Sequence, residues 1–163
     1  MAAEKAKTPS RAANPADDAH PLDLSALTSI VGYPLRRAQL AVFEDFSRRF
    51  AALKLSPAQY SALVVIAANP GRKQSEIAGA LGIQRPNFVA MMDELERRGL
   101  AERLRTPVDR RSRALALTAA GSALVARARR IQGEQEMEVE RLIGREGRAQ
   151  LVAALARLSE LTT

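Results

Sequence analysis

Along most of the chain, apolar residues recur at steps of three and four, and this spacing predicts a mainly helical protein. The first long apolar stripe runs from Ile30 to Leu53. Pro34 lies near its start and predicts either a kink or a late beginning of the helix. Residues 1–22 contain three prolines, many alanines and mixed charges, but no apolar period. We interpret that segment as a flexible tail.

The second helix is marked at both ends by residues that favour helix termini. Ser56 is a suitable N-cap, and Pro57 fits the first helical position. The sequence Asn69-Pro70-Gly71 predicts the end of the helix.

After Gly99 the spacing changes, and apolar and polar residues alternate as they do in strands. Two short strands at about 100–104 and 113–117 are predicted to form a hairpin. Thr118 is a suitable cap for the helix that follows. A last amphipathic helix carries apolar residues at steps of three and four, namely Leu151, Leu155, Leu158 and Leu161.

The segment from Gln74 to Asp93 has the spacing of a helix-turn-helix. Gly82 lies where the tight turn needs a permissive backbone, and Ala78 is small where two helices must approach closely. Gln84 or Arg85 begins the second helix. The predicted core side consists of Ile77, Leu81 and Ile83 in the first helix and turn, and of Phe88, Met91, Met92 and Leu95 in the second helix.

The outer face of the second helix is the candidate surface for reading DNA, because a recognition helix usually enters the major groove with its N-terminal end. Arg85 can form two hydrogen bonds with guanine, and Gln84 or Asn87 can read adenine or contact a phosphate. Val89 can meet a thymine methyl group, whereas Asp93 would repel phosphates and is expected off the contact surface. On the two helices, the predicted DNA-binding residues are Lys73, Gln74, Ser75, Gln84, Arg85, Pro86, Asn87, Val89 and Ala90.

The loop of the predicted hairpin concentrates positive charge. Five arginines fall in the stretch RLRTPVDRRSR, which runs from Arg103 to Arg113. Arg110 and Arg111 lie at its tip and are predicted to contact DNA, since basic side chains there can neutralise phosphates. Arg103, Arg105 and Arg113 lie on the flanking strands and are interpreted as supporting or solvated.

Composition narrows the chemistry further. The 163 residues include 25 Lys and Arg against 18 Asp and Glu, a net charge of +7 that favours a polyanionic partner. The chain has no cysteine and a single histidine, His20, so it lacks the residues for a thiolate or histidine metal site or a His-based triad. We find neither an apolar run long enough for a membrane span nor a signal peptide. We therefore expect a cytoplasmic protein with no metal and no cofactor.

Two segments of the sequence are QSEIAGALGIQRPNFVAMMDELERRGLAERL and DRRSRALALTAAG. In these segments the chain resembles the MarR family of bacterial winged-helix regulators, the multiple-antibiotic-resistance type. The family's wing pattern is Asp, any residue, Arg, then Leu-any-Leu-Thr and a Gly. It is matched by Asp109, Arg111, Leu115, Leu117, Thr118 and Gly121. That family's first two helices are similar to YPLRRAQLAVFEDF and LSPAQYSALVVIA, so the resemblance covers about residues 27–160.

The resemblance implies an obligate homodimer with interlocked first and last helices. It also implies binding to a pseudo-palindromic DNA operator, usually as a repressor that a small ligand releases. For Asp109 it implies an ion pair that orients Arg111; the alternative is that Asp109 only offsets local charge.

The resemblance also indicates the class of ligand. Effectors in this family are commonly aromatic or lipophilic acids, and some relatives respond to acyl-CoA thioesters. Arg36 and Arg37 can meet a carboxylate or phosphate; the alternative is that they are solvated or paired with acidic residues. The predicted pocket walls are Gln39, Leu40, Phe43, Tyr60 and Met92.

The predicted fold class is mainly α with a small β-hairpin wing, that is, a winged helix-turn-helix domain with N- and C-terminal dimerisation helices. The tail at 1–22 precedes a single domain at 23–163. Its predicted parts are dimerisation helices at 24–54 and 118–163, and a DNA-binding lobe at 55–117 with the helix-turn-helix at about 74–98 and the wing at about 100–117. The alternative function is nonspecific or architectural DNA binding, whereas an enzyme with a carboxylate site lacks candidate residues.

Overall fold

The computed structural model of the protein describes residues 22–105 and 113–162. Its elements in chain order are α1 Ser25–Thr28, α2 Gly32–Phe50, a 3-10 turn Ala51–Leu53, α3 Pro57–Ala68, α4 Gln74–Ala80, α5 Arg85–Arg97, β1 Ala101–Arg105, β2 Arg113–Leu117, α6 Ala119–Leu158 and a 3-10 turn Ser159–Thr162. The chain divides into two compact units, Met1–Ala38 and Gln39–Thr163. The predicted fold class, mainly helical with a two-stranded hairpin, is confirmed.

The predicted helix ends are confirmed by hydrogen bonds. The hydroxyl of Ser56 accepts from the backbone N–H of Gln59 (3.2 Å), while the Gln59 side chain accepts from the N–H of Ser56 (3.1 Å). This reciprocal capping box satisfies donors that the first turn leaves unpaired. At the start of α2, Pro34 is the third helical residue, where a missing N–H costs nothing. A helix start near Pro34, rather than a kink, is therefore observed.

The hairpin pairs β1 with β2 antiparallel, with Ala101 opposite Leu117. The segment before α4 adds a short third pairing, because Gly71 donates to the carbonyl of Leu115 (2.9 Å) and Leu115 donates to that of Arg72 (2.9 Å). These bonds hold the hairpin beside the start of α4. The predicted strands are confirmed to within one residue, and the predicted loop at 106–112 lies outside the described residues.

The hydrophobic core lies between α2, α3, α5, β2 and α6. Burying each large apolar side chain stabilises the fold by about 1.5–3 kcal/mol. The fully buried large residues are Phe50, Leu63, Ile66, Phe88, Met92, Leu95 and Leu115. The predicted core side of the helix-turn-helix is confirmed, with Ile77 buried and Leu81, Ile83 and Met91 partly buried against the same core.

A buried polar contact joins α2 to α6. The side-chain amide of Gln135 donates to the carbonyl of Val42 and to Asp45 Oδ2, each at 3.0 Å. Desolvation raises the pKa of Asp45, but hydrogen bonds from Arg49, Arg48 and Gln135 and the charge of Arg49 together lower it. Asp45 is thus held as a carboxylate that orients this end of α2.

The last helix is interrupted at Gly144, whose φ of 76° and ψ of 162° are not helical. Beyond this break, Arg148 reaches back to Glu136, with Nη2 at 2.5 Å from Oε2. A straight helix would separate residues twelve positions apart by about 18 Å, so the chain folds back at Gly144. The two helical segments expected after the hairpin are therefore present.

Two stretches of the chain leave large apolar side chains exposed. Within 22–105 and 113–162, 18 such residues are exposed, and all except Leu104 lie in 22–43 and 137–161. Every residue of 149–161 is exposed. Among the described helices, none is by itself long and apolar enough to cross a membrane; one bent pair, Gly32–Leu53 with Pro57–Ala68, meets the length and composition criteria jointly.

Candidate nucleic-acid interface

The turn between α4 and α5 sets the direction of the candidate recognition helix. Gly82 adopts a φ of +63°, a left-handed conformation that glycine takes without strain. The N–H of Ile83 donates to the carbonyl of Ala78 (3.0 Å) and closes the turn. The buried residues of α5 are Phe88, Met92 and Leu95, so the opposite side of this helix faces outwards.

The N-terminal end of α5 is open. Gln84 is the N-cap residue, its side chain makes no capping hydrogen bond, and Arg85 is the first helical residue. Gln84, Arg85, Pro86, Asn87 and Ala90 are all exposed, whereas Val89 is half-buried. The unpaired N–H groups and positive dipole end of a helix favour an anion here. The exposed polar side chains and the backbone N–H groups at the start of α5 can therefore form hydrogen bonds with a phosphate and with the edges of bases.

The other residues predicted to contact DNA lie at the start of α4, and some of their polar groups already form hydrogen bonds within the protein. The N–H of Lys73 donates to Glu76 Oε2 (2.9 Å). Gln74 accepts a hydrogen bond from Arg103, while Ser75 is exposed. Ser75 lines a shallow cavity of about 350 Å³ together with Gly79, Gly82, Gln84 and Arg85. The structure therefore brings the two predicted helix N-termini to one concave surface.

Arg103 on β1 joins the hairpin to both helices of the helix-turn-helix. Its guanidinium donates to Gln74 Oε1 (2.8 Å), Asp93 Oδ1 (2.6 Å), Glu96 Oε2 (2.5 Å) and the carbonyl of Val89 (3.2 Å). Its backbone N–H donates to Glu96 Oε1 (2.7 Å). Of the two interpretations of Arg103, the supporting one is confirmed.

Glu96 was not predicted to belong to this network. A signal exists in the sequence: Asp93 and Glu96 are three residues apart and so share a helix face, and Arg103 follows in the next strand. The wing-tip residues Arg110 and Arg111 and their predicted partner Asp109 lie outside the described residues.

The predicted effector residues occupy different environments. Arg36 and Arg37 are exposed on α2 within the first unit, and Gln39, Leu40 and Phe43 are exposed within the second. Met92 is fully buried in the core, so in this structure it packs the fold and offers no surface to a ligand. The structure therefore does not place Met92 with the exposed members of the set.

Tyr60 is the one predicted effector residue that is packed yet partly accessible. Its ring contacts Phe50 edge-on, with centroids 5.1 Å apart, and Phe46 at 5.9 Å. Desolvation raises the pKa of Tyr60, while the positive charge of Arg129 lowers it and Glu136 raises it. Its phenol is therefore neutral near pH 7 and available as a hydrogen-bond donor.

No group of three or more His, Cys, Asp or Glu side chains within 22–105 and 113–162 could hold a metal ion. The surface at the start of α5 can bind an extended polyanion, because it combines an open helix N-terminus with exposed amide and guanidinium groups.

Comparisons with known proteins agree with this geometry. The MarR family sequence profile matches residues 53–112. A putative transcriptional regulatory protein for the hcr operon of Thauera aromatica is 34% identical over 129 residues, 78% of each chain. The transcriptional repressor CouR bound to a 23-mer DNA duplex is 49% identical, with a TM-score of 0.83 over 86% of this chain and 99% of that one. CouR bound to p-coumaroyl-CoA is 46% identical, with a TM-score of 0.79 over 85% and 98%. The chain belongs to the MarR family of transcriptional regulators.

Proposed function

We propose that the protein is a homodimeric repressor that binds a pseudo-palindromic DNA operator and leaves it when an aromatic acid or its CoA thioester binds. The observation that carries the DNA-binding part is the open N-terminal end of α5, where Gln84, Arg85 and Asn87 are exposed. The similarity to a repressor bound to a DNA duplex supports it. Such a regulator acts on the chromosome, so we place it in the cytoplasm and assign it no catalytic activity.

In this proposal the first turn of α5 enters the major groove. Arg85 reads guanine, Gln84 and Asn87 contact adenine or phosphate, and the exposed Ala90 lies against the groove wall. The half-buried Val89 offers part of its side chain to a thymine methyl group. Arg110 and Arg111 hold the phosphate backbone beside the groove, with Asp109 orienting Arg111. The start of α4 contributes Lys73, Gln74 and Ser75.

Replacing Arg85 by Ala is expected to weaken operator binding about thirtyfold or more, because the homodimer loses one bidentate guanine contact in each half-site and each contact contributes about 1–3 kcal/mol. Preference should be lost at one base position of each half-site and kept at the others. Selection of binding sites from random duplexes, followed by titration of single-base operator variants, measures both effects.

The control for charge is Arg97→Ala at the other end of the same helix. Arg97 is 72% exposed and pairs only locally, with Glu94. Its loss removes the same charge and should leave base preference unchanged. Equal losses for Arg85→Ala on operator and random DNA would contradict the groove assignment and favour the alternative, a nonspecific DNA-binding protein.

The dimer is supported by the apolar surface that the chain leaves uncovered. Of the exposed large apolar residues in the described part of the chain, all except Leu104 lie in 22–43 and 137–161, and the final helical segment has no buried residue at 149–161. An isolated helix of this length is marginal in water. A second copy that covers these segments also supplies the two-fold symmetry of a pseudo-palindromic site.

The effector is proposed from the relative that binds p-coumaroyl-CoA. The proposed contacts are the exposed Arg36 and Arg37 for the acidic groups, with Gln39, Leu40, Phe43 and Tyr60 beside the apolar part. Met92 would take part only if the core opened. Release of a labelled operator is expected with p-coumaroyl-CoA, and comparison with p-coumarate and with CoA shows whether the acid or the thioester is needed.

The double substitution Arg36→Ala and Arg37→Ala is expected to raise the concentration of p-coumaroyl-CoA needed for release at least tenfold, because two charge-assisted contacts are lost. Operator affinity without ligand serves as the internal control and should change little. Isothermal titration with the thioester gives the binding constant directly. Normal thioester binding by the double variant would exclude these arginines from the effector site.

A further inference from the structure

The side chain of Arg103 connects three elements of the DNA-binding lobe, β1, α4 and α5. It extends from β1 to Gln74 at the start of α4 and to Asp93 and Glu96 on α5. The Arg103 side chain is only 17% exposed, which is low for an arginine on a DNA-facing lobe. Four acceptors are arranged around one planar guanidinium, whose fixed fork of donors restricts their relative positions.

The partners of Arg103 lie beside the proposed DNA surface. Asp93 is eight residues beyond Arg85, about 12 Å along the axis of α5, and its side chain is 62% exposed. Two carboxylates at this place would repel the DNA backbone. Bound to Arg103, Asp93 and Glu96 are partly neutralised and fixed.

We propose that Arg103 is a positioning residue that fixes α5 against the hairpin and the start of α4, and so sets operator specificity without touching DNA. This inference rests on the proposed function, because it requires the first turn of α5 to read base edges. Hydrogen bonds to bases demand placement within a few tenths of an ångström, whereas phosphate contacts tolerate larger shifts. Loosening the Arg103 contacts should therefore weaken binding to the operator more than binding to random DNA.

Arg103→Lys tests position at constant charge. A lysine ammonium is a point charge that cannot reproduce the planar fork, so one or more of the four contacts is lost. We expect operator affinity to fall about tenfold, with unchanged affinity for random DNA and an unchanged slope of log affinity against log salt. Arg97→Lys, on the exposed side of α5, is the matched control and should leave all three quantities unchanged.

A second pair of variants separates position from charge. Arg103→Gln leaves both carboxylates without their shared partner and should weaken binding to random DNA through charge, and binding to the operator more strongly, through charge and position together. Adding Glu96→Gln restores the net charge, and we expect it to restore random-DNA affinity but not the ratio of operator to random affinity. Recovery of the full ratio in this double variant would show that Arg103 acts only through charge and would overturn the inference.

Two further results would also overturn the proposed role of Arg103. A shallower salt dependence for the double variant Arg103→Gln and Glu96→Gln, which keeps the net charge but removes the cation, would identify Arg103 as a phosphate contact. An undiminished operator preference of Arg103→Lys would identify Arg103 as a structural residue only. Either result overturns the inference. Thermal melting shows whether each variant is folded under the binding conditions. If Arg103→Gln is unfolded, Arg103→Lys and the charge-restored variant carry the test. Failure of the proposed function is distinguishable, because then the wild-type protein itself would not discriminate operator from random DNA.

Discussion

Gly121→Ala is expected to lower the free energy of unfolding by about 3 kcal/mol or more, at the upper end of the range for overpacking. A Cβ atom at this position would lie 1.8 Å from the carbonyl oxygen of Leu100 and 2.8 Å from its carbonyl carbon. Both atoms belong to the backbone, so a change of rotamer cannot relieve the clash. Either α6 or the start of β1 must move.

Urea unfolding monitored by circular dichroism measures this loss. The matched control is Gly133→Ala, the same substitution in the same helix, where no described atom outside the neighbouring helix backbone lies within 4 Å of the added Cβ. There the change should be neutral or raise stability by about 0.5–1 kcal/mol, because glycine is unfavourable inside helices. Equal stabilities for the two variants would show that α6 does not approach Leu100 as closely as in this structure.

The surroundings of Gly121 explain part of the sequence pattern that follows the wing. Thr118 donates from its hydroxyl to the carbonyl of Gly99 (2.6 Å) and accepts from the N–H of Gly121 (3.0 Å). Leu115, three residues earlier, is fully buried. In the Leu-any-Leu-Thr pattern followed by Gly, Leu115 thus packs β2 against the core and Thr118 caps α6. Gly121 allows the first turn of α6 to pack closely against the turn at Gly99.

Local signals predicted much of the fold, because they act through residues close in sequence. Ser56, Thr118 and Gly82 occupy the cap and turn positions expected of them. Apolar spacing likewise identified the buried side of α5, because a helix presents residues three and four apart on one face.

Local spacing indicates only part of the network around Arg103, because Asp93 and Glu96 share a helix face shortly before it but the contact with Gln74 has no local signal. Gln74 and Arg103 are 29 positions apart, and which acceptors one arginine meets depends on how three elements pack. The apolar spacing correctly predicted that Met92 lies in the core. The second prediction for Met92, that it forms a wall of the effector pocket, is not compatible with this burial. Periodicity describes faces of helices, whereas shared sites require tertiary structure.

The second large effect concerns the helical segment after Gly144. Leu155→Glu is expected to abolish the homodimer and to reduce operator affinity at least a hundredfold. Leu155 belongs to an apolar stripe with Leu151 and Leu158, and all three are exposed in the single chain. A charge in this stripe would be buried without a partner if the dimer formed, which costs several kcal/mol. Two linked half-sites bind far more tightly than one, so loss of the partner removes most operator affinity.

Sedimentation and light scattering across a range of protein concentrations measure the oligomeric state, and operator titration measures the functional loss. Ala153→Glu is the matched control: it adds the same charge to the same helix, about 160° around the axis from Leu155 by helical spacing, and should leave a dimer. Melting temperature provides an independent readout, since dimer stability makes it depend on protein concentration and a monomeric variant loses that dependence. A Leu155→Glu protein that remains dimeric and binds the operator normally would move the interface away from the C-terminal helix, leaving the exposed apolar residues of 22–43 as the alternative contact.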